Sequence, residues 1–207
     1  MARTPPTKPR KNALQARSRA TVDALVEATA RILVREGFEK TSTNRIADIA
    51  GVSVGSLYQY FPSKEALVAA VIDRHNDEIM CLVRAALTEI ADTPIDKAVR
   101  KLVTVAIEAH RINPKLHRVL AEQIPRTGQL KEVEAFNREV HTLVRSYLES
   151  RRKEMRKVDV DVATFICVSA IESVAHNTVL NQAEMLTEKT VKVLVDETTR
   201  MVVGYLR

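Results

Sequence analysis

Apolar residues recur at spacings of three and four along almost the whole chain, and that period commits it to helices. Val22, Leu25, Val26, Thr29, Ile32 and Leu33 line one face of a first segment, which Gly37 stops. A short helix follows the cap cluster Thr41-Ser42-Thr43, turns Ile46, Ile49 and Ala50 inward, and ends at Gly51. Ser53 can cap a third helix with Leu57 and Phe61, closed by Pro62; Ser63 can cap a long fourth from Lys64 to about Ala91. At 1.5 Å per residue that fourth helix is roughly 40 Å long. Thr93-Pro94 and Asn113-Pro114 each pair a capping side chain with proline at the first helical position. Pro125 and Gly128 mark a loop before a helix holding Val133, Phe136, Val140, Leu143, Val144, Tyr147 and Leu148, and two more helices follow near residues 160–180 and 187–206. The expectation is an all-α fold of about nine helices. Only five glycines occur in 207 residues, which argues against hairpin-rich and doubly wound folds with their tight glycine turns.

The net charge of +6 is concentrated at one end. Residues 1–22 carry Arg3, Lys8, Arg10, Lys11, Arg17 and Arg19 and no acid, while the remaining 26 Lys and Arg balance the 26 Asp and Glu. A basic segment of this kind suits an arm that meets an anionic polymer, or simply a solvated tail. At 45% hydrophobic and 28% charged the chain as a whole is too apolar to be disordered. The signatures G-x-G-x-x-G, G-x-x-x-x-G-K-[ST] and G-x-S-x-G are absent, and no Ser/His/Asp set stands out. The five histidines are scattered; Glu172 and His176 stand one helical turn apart, but no third ligand accompanies them, so neither metal, cofactor nor enzyme activity is expected. Cys81 and Cys167 lie far apart in apolar stretches and suit a reducing cytoplasm. The start lacks the apolar region of a secretory signal, and the apolar run Val162–Ile171 is too short to span a bilayer. The expectation is a soluble cytoplasmic protein. A helical enzyme and a membrane-surface protein with a basic arm are the competing classes.

Thr43 to Phe61 reads Thr-Asn-Arg-Ile-Ala-Asp-Ile-Ala-Gly-Val-Ser-Val-Gly-Ser-Leu-Tyr-Gln-Tyr-Phe. Ala47 is small enough for two crossed helices to pack closely, Gly51 permits a sharp turn, and Ile46, Ala50, Val52 and Leu57 fill the shared core. That pattern fits a helix-turn-helix, whose second helix enters the major groove, and it also fits an ordinary helical hairpin. The exposed face of the second helix would hold Ser53, Val54, Ser56, Gln59 and Tyr60, with Gly55 allowing close backbone approach. Gln59 can pair bidentately with adenine, and Val54 can meet a thymine methyl. Tyr58, Tyr60 and Lys64 are candidate phosphate donors, and Thr43 and Arg45 on the preceding helix complete the DNA-binding set.

Around these positions stand Arg-Glu-Gly-Phe-Glu-Lys-Thr-Ser (35–42), Ile-Ala-Asp-Ile-Ala-Gly-Val-Ser (46–53), Gly-Ser-Leu-Tyr-Gln-Tyr-Phe (55–61) and Ser-Lys-Glu-Ala-Leu (63–67). Over about residues 18–72 the chain closely resembles the tetracycline-repressor (TetR) family. Val54 departs from it, since the family often has Lys, Arg or Pro there. The remainder matches only in helix count and apolar pattern. The resemblance implies a homodimeric repressor that leaves a pseudo-palindromic operator when a small-molecule inducer binds its helical core. It divides the chain into a basic arm (1–17), a DNA-binding domain (18–63) and a ligand-binding and dimerisation domain (64–207).

The last two helices are apolar over unusually wide arcs: Val162 to Ile171 in one, and Val191, Val193, Leu194, Val195, Met201, Val202, Val203, Tyr205 and Leu206 in the other. A second subunit packed across a two-fold axis accounts for both, as does burial at the centre of a monomer. Phe165, Ser169, Glu172 and His176 form a mixed stripe and are candidate ligand contacts, or partners of one another. His110, on the inward stripe Val99, Leu102, Val103, Ala106, is the next. No basic cluster lines these faces, which favours a neutral, weakly polar or cationic ligand. The run Arg151–Lys157 reads as a solvated helix end.

Overall fold

Helix starts and stops fall where the capping side chains stand. The computed structural model describes residues 16–127, 130–181 and 187–207. Among them the regular structure is helical: α1 (Ala16–Glu36), α2 (Thr43–Ala50), α3 (Val54–Tyr60), α4 (Lys64–Glu89), α5 (Ile95–Arg111), α6 (Pro114–Thr127), α7 (Leu130–Ser150), α8 (Val160–Asn181) and α9 (Glu188–Leu206), with a short 3-10 turn at Arg152–Glu154. Residues 1–15 of the basic arm lie outside the described residues. Pro125 does not break its helix: α6 runs through it to Thr127, because a proline in a last turn forfeits a backbone bond without ending the turn.

The described chain forms two compact units, one gathering the residues up to Asn76 with Lys115–Val133, the other Asp77–Pro114 with Glu134–Arg207. The first unit therefore extends past the boundary expected at residue 63. Its core shows why. Leu25, Ile32 and Leu33 of α1 meet Ile46 of α2, Leu57 of α3, Leu67 and Ile72 of α4, and Leu120 of α6 in one buried cluster. In the same unit, His75 of α4 and His117 of α6 face each other at 3.0 Å.

In the second unit α5 packs on both α8 and α9, and α8 on α9. Ile95, Val99, Val103 and Ile107 share a core with Tyr147 and Leu148 of α7, Ala163 and Cys167 of α8, and Val191, Val195, Val202 and Leu206 of α9. Thr93 does not cap α5. Pro94 occupies the cap position without a side-chain bond, and the Ile95 amide donates instead to Oε2 of Glu154 at 2.9 Å. The run Arg151–Lys157 is likewise more than a solvated end. The Arg151 guanidinium donates to the Ala91 carbonyl. Arg156 gives its amide to the Leu206 carbonyl at 2.8 Å and its Nε to the Tyr205 carbonyl at 2.6 Å. These cations serve the carboxyl-terminal carbonyls of α9 and the chain just beyond α4, where negative partial charge collects.

α8 outlasts the apolar run read from the sequence. The stretch Val160–Leu180 has a mean hydropathy of 1.3 and is long and apolar enough to cross a membrane by length and composition, with a third of it buried. Its buried side chains include Ala163, Cys167 and Ala175, while Val162, Phe165 and Ile166 remain exposed. On α9 the wide apolar arc divides in the same way. Val191, Val195, Val202 and Leu206 face the core, and Val193 and Met201 face outward, 52% and 51% exposed.

Candidate nucleic-acid interface and apolar cavity

Two local bonds set the turn between α2 and α3. Ser42 caps α2 by accepting from the Arg45 amide, and Gly51 ends it in the left-handed region at φ 68°, its amide donating back into the helix. Such a φ costs any residue with a Cβ. Ser53 then caps α3 by accepting from the Ser56 amide at 3.1 Å, and its hydroxyl also lies 2.9 Å from that of Ser56. Buried Ile46, Ala47 and Leu57 hold the pair together.

The outward face of α3 carries Gln59 and Tyr58, both exposed, with Gly55 and half-buried Ser56. A Cβ at Gly55 would meet nothing nearer than Ser53 Oγ at 3.9 Å, so the backbone there is open to close approach. Val54 and Tyr60 are half-buried against the core of the unit, which leaves them less to offer a groove than the sequence suggests. Thr43 Oγ1 lies 3.1 Å from the Tyr58 hydroxyl, so these two share one spot on adjacent helices.

The cations are held more firmly than composition implies. Arg45 grips Glu36 of α1 in a bidentate pair, both contacts at 2.6 Å. Lys64 donates to the Phe38 carbonyl at 3.2 Å and lies 4.1 Å over the Phe38 ring. Its ammonium thus ties α4 to the α1–α2 loop, and its proposed contact with phosphate competes with that bond. Sequence reasoning passed over Asn44 and Lys40, both exposed beside the α2 amino terminus. Their signal was available: polar side chains flanking the first turn of a helix that precedes a reader helix.

The second unit holds an apolar cavity with about 800 Å3 of empty space, open mouth included. α4, α5, α7, α8 and α9 all line it, from Ile79 and Val83 to Val202 and Leu206. Tyr147 is on the wall, but its hydroxyl donates to the Thr93 carbonyl at 3.1 Å. Burial pushes the Cys167 thiol up to about 11, so it stays protonated and behaves as a small hydrophobe. Among the described residues, the ionisable pair on the wall is His110 and Glu172.

His110 Nδ1 lies 2.7 Å from the Ala106 carbonyl and its Nε2 lies 3.2 Å from Glu172 Oε1. A carbonyl and an ionised carboxylate only accept, so partners of this kind call for a proton on each ring nitrogen. Burial opposes that charge on His110, but the bond to Glu172, its negative charge and the Ala106 carbonyl outweigh it and hold the imidazole above its ordinary range. Burial would raise the Glu172 carboxyl, and His110, aided by His176, holds it below the usual carboxylate range instead. His176 stands edge-on to His110, ring centroids 6.1 Å apart, and burial keeps it below the ordinary histidine range. Of the mixed stripe, then, Glu172 reaches the cavity and His176 stands behind the pair. Phe165, 62% exposed, and exposed Ser169 do not line it. At 100° per residue, Cys167, Val168, Ile171 and Glu172 take the cavity side of α8 and leave those two on another face. Phe136 and Tyr147 were missed as lining residues because their helix shows no polarity mark.

Residues 25–71 match the family model "Bacterial regulatory proteins, tetR family", and residues 94–206 match "Tetracyclin repressor-like, C-terminal domain". The nucleoid occlusion factor SlmA of Haemophilus ducreyi is 34% identical over 85 residues, 41% of each chain. The HTH-type transcriptional repressor KstR2 of Mycolicibacterium smegmatis is 29% identical over 142 residues, 68% of this chain and 62% of KstR2. The chain thus spans 41% of the length of the first of these relatives. A solved structure from Mesorhizobium loti MAFF303099 shares the fold with a TM-score of 0.78, covering 92% of this chain and 98% of that one at 17% identity.

Proposed function

The chain belongs to the TetR family, and from that premise we propose that it is a homodimeric, DNA-binding transcriptional regulator whose cavity takes a small-molecule effector. The observation that carries the reading is the α2–α3 pair: two capped helices joined at a left-handed Gly51, presenting Gln59, Tyr58 and Ser56 outward around an open Gly55. That is the equipment for reading base edges in a major groove. Ser53, Val54 and Tyr60 flank the reading face, Thr43, Arg45 and Lys64 are the candidate backbone contacts, and residues 1–17 supply charge that follows the duplex.

The exposed apolar side chains of α8 and α9 form the two-fold interface, which presents two reader helices to a pseudo-palindromic operator. The relative named a transcriptional repressor supports repression as the mode of control, exercised in the cytoplasm. An effector acts only through a different affinity for the DNA-competent and released forms. The helix α4 belongs to both units, so an effector that shifts Ile79 or Val83 moves the same continuous helix that supplies Ala66–Ile72 to the DNA-binding core.

Fluorescence anisotropy with duplexes from the intergenic region beside its own gene tests the DNA reading. Saturable binding to one duplex, far tighter than to scrambled sequence and falling linearly with log salt, is the expected result. Equal affinity for every duplex sinks it.

A further inference from the structure

One ion pair stands on an otherwise apolar wall, whose other residues are Val, Leu, Ile, Phe and Ala with Tyr147 and Cys167. A pair with one member this open to solvent adds little stability, so packing alone does not call for it. The two members of the pair are unequal. His110 is fixed, 3% exposed at its side chain and anchored to the Ala106 carbonyl. Glu172 keeps about half of its side-chain surface open, 51%, and turns Oε1 to His110. Its second oxygen forms no further hydrogen bond among the described residues.

Among the described residues no Lys or Arg lines the cavity. An entering anion would meet the Glu172 charge, and the imidazolium beside it is already neutralised. An entering ammonium would meet a carboxylate with an oxygen to offer and two aromatic rings, Phe136 and Tyr147, on the same wall, whose faces attract cations. Resting on the reading of this cavity as an effector site, we infer that its ligand is an apolar molecule with a single cationic head, an alkyl- or arylammonium, seated on the Glu172 carboxylate.

Isothermal titration of the full chain with octylamine, octanol and octanoate at neutral pH decides the charge class, since the three share one apolar tail. The expected result is octylamine binding at least tenfold tighter than octanoate, a difference of about 1.4 kcal/mol. Glu172→Gln should erase that preference while octanol binds as before. Glu172→Lys, tolerable because the side chain is half exposed, should reverse it. Octanoate binding as tightly as octylamine, no measurable binding of the amine, or an amine preference that survives Glu172→Gln overturns the inference. Operator affinity is measured separately. If the amine binds as expected but leaves DNA affinity unchanged, the effector role fails and the ligand class stands.

Discussion

At the residue scale the structure redistributes work that the sequence assigns evenly. Arg45 reads as a free cation just before the second helix of the pair, yet Glu36 holds it by both terminal guanidinium nitrogens. A phosphate must compete with that carboxylate, so Glu36→Gln should tighten DNA binding severalfold on all sequences and steepen the salt dependence by about one unit of slope. Gln59→Ala should behave differently, costing about 1–3 kcal/mol at a single base position; anisotropy on a panel of operator variants separates the two. The His110–Glu172 pair makes a second prediction, about pH. The histidine is held above its ordinary value of 6.5, so its contribution is complete below that value and is lost as pH rises through the raised one. The carboxylate is held below its ordinary 4.5, so its contribution is complete above that value and is lost as pH falls through the lowered one. His176, held down by burial, opposes stability only as pH drops below 6.5. The pair therefore helps most between about 4.5 and 6.5. The gap in melting temperature between the parent and Glu172→Gln should be widest there and close on the alkaline side. Calorimetry from pH 5 to 9 checks the sign.

At the element scale, one prediction rests on how a helix ends and another on which side of a helix a residue occupies. Gly51 sits at φ 68° with nothing within 4 Å of where a Cβ would be, so Gly51→Ala meets a backbone penalty and no clash. It should cost about 1–2 kcal/mol, read from urea denaturation, and weaken operator binding beyond that by misaligning α3. On α9, Val202 and Met201 are neighbours in sequence with opposite fates, 3% and 51% exposed. Met201→Asp and Val193→Asp should leave the helical signal intact and yield monomers by sedimentation velocity. Val202→Asp buries an unpaired charge in the protomer and should unfold it, at a cost of several kcal/mol. A parent that sediments as a monomer at micromolar concentration would refute the interface.

At the scale of the whole molecule, regulation is a coupling between two bound states. A tenfold loss of operator affinity on effector binding needs about 1.4 kcal/mol, and reciprocity requires operator to weaken the effector by the same factor. Titrating each ligand in the presence of the other measures both numbers. Unequal factors would mean that more than this one equilibrium is being measured.

The sequence by itself determined the helical class, most helix ends and the turn between α2 and α3, because those rest on local interactions: apolar spacing, a serine beside an amide three residues on, and a glycine where φ is positive. Ser42, Gly51 and Ser53 do in the structure what their positions announce. Thr93 shows the limit of that logic, since a more distant carboxylate, Glu154, took the amide it was placed to serve. Tertiary structure alone decided which face of an all-round apolar helix is inner. Between Val162 and Ile171 nearly every residue of α8 is apolar, so periodicity cannot separate Cys167 on the wall from Phe165 at the surface. Only the packing of α5 and α9 against one side does so. The same holds for charge. Arg45, Lys64 and Arg156 are indistinguishable cations in the sequence, and each acquired a different partner because folding brought Glu36, Phe38 and Tyr205 to it across the chain.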